Sequence, residues 1–238
     1  MADWEELWPG GPLFLQAENQ RLSTDSVLLA DFVRPGSAVH GVDLGCASGI
    51  LSLLLLERTQ KLRMTGLELD AAAARIARAN LERNGFAGRS RVLTGDLCAC
   101  RELFEAGSFE LAMANPPYFP PGRGAVSPDP VRAGARSEET CTLEDLCRAA
   151  RWLLRSGGRL CLVHRPERLS ELFCTMSANA LEPKRLRLVC HRPERAPSLV
   201  LVEGRRDGKP GLQILPPLIL TRADGSDTAE VRRIYRRP

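Results

Sequence analysis

The residues with the clearest chemical meaning stand directly after short apolar segments of the sequence. Asp43, Glu68, Asp96 and Asn115 each end or follow such a segment. Carboxylate and carboxamide oxygens accept hydrogen bonds, so a group of them can hold the hydroxyl, amino and ammonium groups of a polar ligand. If the segments are parallel strands, their carboxyl ends share the sheet edge at which ligands bind in open α/β folds. The pattern predicts one ligand site built from four strand ends.

A glycine-rich turn, Asp43-Leu-Gly-Cys-Ala-Ser-Gly49, connects the first of these strands to a helix. Gly45 and Gly49 permit positive φ and let a ligand approach the backbone closely. Glu68 follows Asp43 by 25 residues, at the end of the next strand, from which an acidic side chain binds ribose hydroxyls. A dinucleotide-dependent enzyme fits these two features as well, so they leave the cofactor open.

The motif Asn115-Pro-Pro-Tyr118 favours an enzyme that acts on a planar nitrogen group over a dinucleotide-dependent enzyme. The amino nitrogen of adenine, like the amide nitrogen of glutamine, is a poor nucleophile because its lone pair is delocalised. A site that activates this nitrogen must accept hydrogen bonds from both of its N–H groups. The Asn115 carboxamide oxygen and the Pro116 carbonyl offer the two acceptors. Pro117 stiffens the turn, and the Tyr118 ring can stack on a planar substrate. Asn115, Pro116 and Tyr118 are therefore the predicted catalytic residues.

Strand-like and helical segments alternate from about residue 38 onward, which predicts an α/β fold. The pattern places strands at 38–44, 64–69, 91–94, 109–114, 159–164, 185–190 and 198–203, and helices at 50–60, 71–84 and 143–155. Such alternation implies right-handed crossovers and a mostly parallel seven-stranded sheet with helices on both faces. The polar, proline-rich segment 120–140 is predicted to be a long loop beside the site.

Composition places the chain among ordinary globular proteins. It has 238 residues, of which 44% are hydrophobic and 26% are charged, so we expect one domain with short appendages. The apolar runs are too short to cross a bilayer and the first residues are acidic. These features predict a cytoplasmic protein without membrane contact.

Charge is distributed unevenly along the chain. Residues 1–119 hold 11 basic and 15 acidic residues, whereas residues 120–238 hold 22 and 14. A basic half suits a phosphate-bearing partner such as RNA. Of the 33 basic residues 30 are arginine, which a GC-rich genome also explains.

The eight cysteines and three histidines do not form a recognisable metal motif. No C-x-x-C pair occurs and the histidines are scattered. Most of the cysteines lie in apolar runs, so we interpret them as buried free thiols of a reducing compartment and expect no metal.

The glycine-rich turn, Glu68 and the N-P-P-Y motif together resemble the class I S-adenosylmethionine-dependent amino-methyltransferases. Segments 21–33 (RLSTDSVLLADFV), 135–140 (ARSEET), 217–220 (PLIL) and 230–235 (EVRRIY) are similar to those of the bacterial tRNA1(Val) adenine-37 N6-methyltransferase family. The resemblance covers about residues 13–235. It implies a Rossmann-like methyltransferase fold, S-adenosyl-L-methionine as cofactor, and N6 of an adenosine in a tRNA anticodon stem-loop, A37 of a valine tRNA, as the methyl acceptor.

The resemblance also implies roles for individual residues. Asp43 and the backbone around Gly45 and Gly49 hold the methionine part of the cofactor, Glu68 its ribose hydroxyls and Asp96 its adenine amino group. The further cofactor-binding residues that it implies are Thr24 and Asp25, in an N-terminal segment that closes over the cofactor, and Asn115. The residues expected to contact the substrate are Pro117, Tyr118, Arg132 and Arg136.

Two departures from the family pattern concern the cofactor site. The middle glycine of the turn is Ala47 here, and the aromatic residue usual two positions before S-x-D is replaced by Leu22, one position before Ser23. Ala47 adds a methyl group close to the cofactor. It is the one sequence feature that favours a non-catalytic module which binds the cofactor and RNA.

The N-P-P-Y motif also serves other acceptors, and the length of the chain counts against them. Enzymes that methylate a release-factor glutamine usually carry a helical domain before the glycine-rich turn. In this sequence 42 residues precede Asp43, which counts against that acceptor. Enzymes that methylate guanine N2 in ribosomal RNA usually have a second tandem domain, for which a chain of 238 residues leaves no room.

We expect three parts in the chain: a segment 1–37 that covers the cofactor site, a methyltransferase domain 38–208 and an extension 209–238. We expect the protein to be a monomer or a homodimer.

Overall fold

The structure is a computed structural model that describes residues 4–16, 22–116 and 141–237. Within these ranges it contains eleven β-strands and seven α-helices. The strands are β1 (Glu5–Glu6), β2 (Leu13–Phe14), β3 (His40–Leu44), β4 (Arg63–Glu68), β5 (Ser90–Thr94), β6 (Phe109–Ala114), β7 (Leu154–His164), β8 (Leu181–Cys190), β9 (Pro197–Arg206), β10 (Gln213–Ile214) and β11 (Leu218–Ile219). The helices are α1 (Thr24–Phe32), α2 (Ile50–Arg58), α3 (Ala71–Arg83), α4 (Cys100–Leu103), α5 (Leu143–Leu153), α6 (Leu169–Ala178) and α7 (Ala229–Ile234).

One large sheet organises the described residues. Its strand order is β10-β8-β9-β7-β6-β3-β4-β5, and β11 also pairs with β8. The neighbours from β7 through β6, β3 and β4 to β5 are parallel, and β9 lies between β7 and β8 antiparallel to both. The mostly parallel α/β fold is confirmed. The seven predicted strands are present, and the two-residue strands β10 and β11 bring the sheet to nine.

Alternate residues of the central strands face two separate cores. In β6, Leu111 and Met113 pack with α1, α2 and α3, whereas Ala112 and Ala114 pack with α4, α5 and α6. All four side chains are fully buried. Because the sheet is covered on both faces, its central strands are apolar without the alternation of a half-exposed strand.

The predicted end of helix α5 is wrong by two residues. A capping box begins the helix, since Thr142 accepts from the Asp145 amide at 3.2 Å and its own amide donates to the Asp145 carboxylate at 3.1 Å. The helix ends at Leu153, and Leu154 is already the first residue of β7, opposite Phe109. Leu154 is fully buried, so pairing with β6 replaces the helix before its predicted end at residue 155.

Four helices, α1, α4, α6 and α7, were not evident as helices in the sequence. In α1 six of the nine residues are buried, because the helix packs against α2 on one side and against β7 and β9 on another. A helix buried on most of its surface lacks the polar face that gives a helical segment its periodicity.

The C-terminal residues pack onto the N-terminal half of the chain. Arg233 donates two hydrogen bonds to Asp31 of α1, at 2.9 and 3.0 Å, and Arg236 donates one to Glu57 of α2 at 2.9 Å. Tyr235 is half-buried against the core.

The division of the chain at residues 37 and 208 stays a prediction. No helix in the described ranges is long and apolar enough to span a membrane.

Candidate active site

The four strand ends named above lie on one edge of the sheet. β3 stands between β6 and β4, and β5 follows β4. Asp43 lies in β3, Glu68 ends β4, Asp96 follows β5 by two residues and Asn115 follows β6 directly. Strand order reverses at β3, because β4 and β5 lie on one side of it and β6 and β7 on the other. Ligands of α/β proteins bind at such a reversal.

The glycine-rich turn is held open by alternating left-handed residues. Gly45, Ala47 and Gly49 have φ of 70°, 49° and 81°, and the Gly45 amide is anchored to the Leu67 carbonyl at 2.8 Å. A Cβ at Gly45 would meet no protein atom within 4 Å, so its backbone borders open space. A Cβ at Gly49 would lie 3.1 Å from that of Ala77. Gly49 thus allows α2 to approach α3, whereas Gly45 leaves room for a ligand.

Glu68 connects the glycine-rich turn to the start of α3. Its Oε2 accepts a hydrogen bond from the Ala47 amide at 2.8 Å, and its Oε1 accepts one from the Asp70 amide at 3.0 Å. Hydrogen bonds from backbone amides to a carboxylate are charge-assisted and therefore strong. These bonds fix the carboxylate beside the open backbone of the turn, and each oxygen keeps a further lone pair for a hydroxyl group.

Asp43 is completely buried in β3. The Ser52 hydroxyl donates to its Oδ2 at 3.0 Å, but none of the described residues donates to its Oδ1. Burial raises the pKa of Asp43 to about 7, the hydrogen bonds from Ser52 oppose the rise, and the nearby Glu68 charge adds to it. A buried carboxylate oxygen without a donor is costly, and a ligand ammonium group would satisfy it.

We expect cofactor affinity to depend on pH through Asp43. At a pH below the Asp43 pKa of about 7, the carboxyl must lose a proton before it can bind the cofactor's ammonium group. The affinity for the cofactor should therefore fall by up to about tenfold for each unit by which the pH decreases. Calorimetric titrations between about pH 5.5 and 7 keep the cofactor's own amino group protonated, since its pKa is about 8. Asp43→Asn should bind weakly and independently of pH, and a flat wild-type profile would contradict the assignment.

Asn115 is held by the N-terminal end of helix α1. Its Nδ2 donates to the Ser26 hydroxyl at 2.9 Å and approaches the Ser23 hydroxyl at 3.3 Å. Ser23 caps α1 by accepting from the Ser26 amide at 3.2 Å, and Ser26 is buried. Because the two serines receive the NH2 end of the carboxamide, its orientation is fixed relative to the sheet. Sequence reasoning missed both serines, although Ser23 stands where a helix N-cap is expected.

Replacing Ser26 with alanine should lower kcat about fivefold to tenfold, since one hydrogen bond contributes roughly 1 kcal/mol to the alignment of Asn115. The KM for the cofactor should stay within about twofold. Steady-state kinetics separate this positioning effect from general destabilisation, and Ser177→Ala, a change at an exposed helical serine, is the control. A rise in cofactor KM with unchanged kcat would argue against the assigned role.

The remaining predicted residues are distributed around this edge. Asp96 is exposed and its Oδ1 accepts from the Cys98 amide at 2.8 Å. Thr24 and Asp25 form the first turn of α1, next to the serines that bind Asn115. Pro116 is half-buried. The predicted substrate residues Pro117, Tyr118, Arg132 and Arg136 lie outside the described residues.

Comparison with known proteins supports the mostly parallel α/β architecture described above. A family model described as "Methyltransferase small domain" matches residues 18–180. A predicted O-methyltransferase from Agrobacterium tumefaciens superimposes with a TM-score of 0.71 at 23% identity, over 90% of this chain and 96% of its own. A geranyl diphosphate C-methyltransferase from Streptomyces coelicolor, solved with S-adenosyl-L-homocysteine, gives a TM-score of 0.55 at 16% identity, over 76% and 79%. The fold and its site define a class I methyltransferase that uses S-adenosylmethionine.

Within this class, the chain belongs to the tRNA1(Val) (adenine(37)-N6)-methyltransferase family. The member from Porphyromonas gingivalis is 35% identical over 78% of this chain and 74% of its own. The members from Dickeya chrysanthemi and Tolumonas auensis are 32% and 31% identical, over 79% and 76% of this chain and 74% and 75% of theirs.

The described residues fit S-adenosylmethionine. The buried Asp43 Oδ1, which none of them bonds, suits the ammonium group of the methionine part. The open space at Gly45 accommodates the same part against the backbone, and the Glu68 carboxylate at the end of the next strand suits the ribose hydroxyls.

Proposed function

We propose that this protein transfers the methyl group of S-adenosylmethionine to N6 of adenosine 37 in the anticodon loop of a valine tRNA. The observation that carries the proposal is the position of Asn115, which Ser23 and Ser26 hold on the sheet edge that also carries Asp43 and Glu68. The family relatives, each described as a tRNA1(Val) (adenine(37)-N6)-methyltransferase, support this choice of acceptor.

In this scheme the protein activates the adenine amino group by accepting hydrogen bonds from its two N–H groups. When bound, S-adenosylmethionine supplies an electrophilic methyl group. The Asn115 carboxamide oxygen and the Pro116 carbonyl accept hydrogen bonds from the two N6–H groups, which draws the nitrogen lone pair out of conjugation with the adenine ring. One N6 proton leaves to solvent as the new N–C bond replaces the S–C bond of the methyl donor. Ser23 and Ser26 keep the NH2 end of Asn115 engaged, so that its oxygen end is presented to the substrate. Catalysis in this scheme is mainly positioning.

The geometry of Ala47 removes the reason to expect a weakened cofactor site, which was the one sequence feature that favoured a non-catalytic module. Its φ of 49° is in the left-handed region, where alanine costs roughly 1 kcal/mol more than glycine. The turn nevertheless keeps its conformation, and the Ala47 amide donates to Glu68 at 2.8 Å. Glu68 thus has the same support that a glycine amide would provide, and the substitution leaves the cofactor site assembled.

A transfer assay with two matched RNAs tests the proposal. The purified protein is incubated with methyl-deuterated S-adenosylmethionine and either a valine tRNA transcript or the same transcript with guanosine at position 37. We expect deuterated N6-methyladenosine, measured by nucleoside mass spectrometry, in the first RNA alone.

Two further arms define the acceptor. A peptide from a release factor with its glutamine tests the alternative substrate, and total tRNA tests for another tRNA or another adenosine. Methylation of the peptide but not of RNA, or no transfer to either in the presence of measurable cofactor binding, would overturn the proposal.

A further inference from the structure

Three side chains with metal-ligating atoms meet between the turn after β5 and the start of α5. Cys98 lies in the helical turn that follows Asp96, Cys141 precedes the helix cap Thr142, and Asp145 lies in the first turn of α5. The two Sγ atoms and a carboxylate oxygen of Asp145 all lie within 4.8 Å of one another. Among the described residues no other group of three such ligands comes together.

The distances suit a tetrahedral ion with sulfur ligands. Zinc binds thiolate sulfur at about 2.3 Å, which puts two sulfur ligands about 3.8 Å apart in a tetrahedron. The three ligand atoms here lie within 4.8 Å of one another, a spread that one ion can bridge once the side chains adjust.

The carboxylate at this site is already oriented. Asp145 Oδ2 accepts hydrogen bonds from the amide and the hydroxyl of Thr142, at 3.1 and 2.6 Å, and such outer hydrogen bonds hold a metal ligand in place. A surface cavity lined by Cys98, Asp145 and Arg148, among others, gives an ion access to two of the three side chains, Cys98 and Asp145.

The surroundings disfavour negative charge on the thiols unless a cation is present. Asp145 and Asp96 place carboxylates near the two thiols, and Cys141 is partly buried. A divalent cation compensates these charges when it displaces the thiol protons. Arg148 is the competing positive group, since its Nη1 lies 3.7 Å from Asp145 Oδ1, but 61% of its side chain is exposed and can move away.

We propose that Cys98, Cys141 and Asp145 form a binding site for one zinc ion, with a fourth position open to water. The two cysteines are 43 residues apart in the chain, so no sequence motif announces the site. The Cys98 amide donates to Asp96, and a bound ion would therefore join the Asp96 turn to the beginning of α5.

Metal titration of the reduced, full-length protein tests the site directly. Competition with a chromophoric chelator should give one zinc ion per chain with a dissociation constant below about 1 μM. Cobalt(II), used as a spectroscopic probe, should produce a thiolate-to-metal charge-transfer band. Zinc should also raise the melting temperature, because an ion that binds only the folded state stabilises it.

Matched variants separate this site from the other thiols. Cys98→Ser and Cys141→Ser should each weaken zinc binding by about 100-fold or more and abolish the charge-transfer band, whereas Cys174→Ser, at an exposed cysteine away from the cluster, should bind like the wild type. Arg148→Ala should strengthen binding about threefold or more, since it removes the competing charge.

Several results would overturn the proposal. These are no zinc binding by the reduced wild type, equal loss of binding in Cys174→Ser, or unchanged binding in both Cys98→Ser and Cys141→Ser. Because the readouts are metal binding and melting temperature, they do not depend on the methyl acceptor. Circular dichroism of the apo variants confirms that each one folds.

Discussion

Replacing Asn115 with alanine should abolish methyl transfer while leaving cofactor binding nearly intact. The variant loses the oxygen that accepts an N6 hydrogen, and loss of one well-placed hydrogen-bonding group at a reacting centre lowers kcat by about 1000-fold. The dissociation constant for S-adenosylmethionine should change by less than about threefold. Single-turnover transfer to the valine tRNA transcript and calorimetry with the cofactor measure the two effects separately.

The matched control for this variant is Asn179→Ala, at the C-terminal end of α6. Asn179 also donates through Nδ2, to Glu144 at 3.2 Å, but it caps a helix and is not one of the strand-end residues. Its replacement should leave transfer within about twofold. Turnover by Asn115→Ala close to that of the wild type would refute the mechanism, whatever the acceptor.

Replacing Glu68 with alanine should weaken cofactor binding by about 100-fold. The variant loses the acceptors for the ribose hydroxyls, and the Ala47 and Asp70 amides lose their partner. Hydrogen bonds to a charged group contribute roughly 1.5 to 3 kcal/mol each, and each 1.4 kcal/mol corresponds to a factor of ten in affinity. Calorimetry gives the affinity, and kcat at saturating cofactor should fall much less.

Two further variants sharpen this result. Glu68→Gln keeps the size of the side chain but offers one acceptor oxygen instead of two, so its affinity should lie between those of the wild type and Glu68→Ala. Glu82→Ala removes an exposed glutamate from α3 and should bind the cofactor normally. Equal affinity of Glu68→Ala and the wild type would remove Glu68 from the cofactor site.

Local patterns were sufficient to predict most of the elements that carry the site. Strands β4 and β6 begin or end within one residue of their predicted bounds, because each is an apolar segment between turn-forming residues. The start of α5 at Leu143 was also predicted, and the capping box that begins it at Thr142 is a local interaction. The end of α5 was not, because pairing of Leu154 with β6 decides where the helix stops.

The arginine-rich second half of the chain shows how far composition reaches. Its excess charge indicated a phosphate-bearing partner. In the structure Arg233 pairs with Asp31 and Arg236 with Glu57, at 2.9 Å in both cases. Part of the basic charge therefore holds the C-terminal segment on α1 and α2, within the chain itself. Arg132 and Arg136 lie outside the described residues, so their predicted contact with RNA stays a prediction.

The sequence by itself determined which residues end the strands and in what order they follow one another. Asp43, Glu68, Asp96 and Asn115 could be named in advance, because parallel strands with right-handed crossovers bring consecutive carboxyl ends to one edge. Backbone periodicity and turn chemistry encode these features within a few residues of each position.

Only the tertiary structure decided which side chains meet across the chain. Ser26 and Asn115 are 89 residues apart, and their contact exists because α1 packs over the end of β6. The unpaired oxygen and raised pKa of Asp43 follow from its complete burial. Cys98 and Cys141 approach each other because α5 begins beside the turn after β5. Each contact depends on how helices pack on the sheet, which the local pattern of any one segment does not specify.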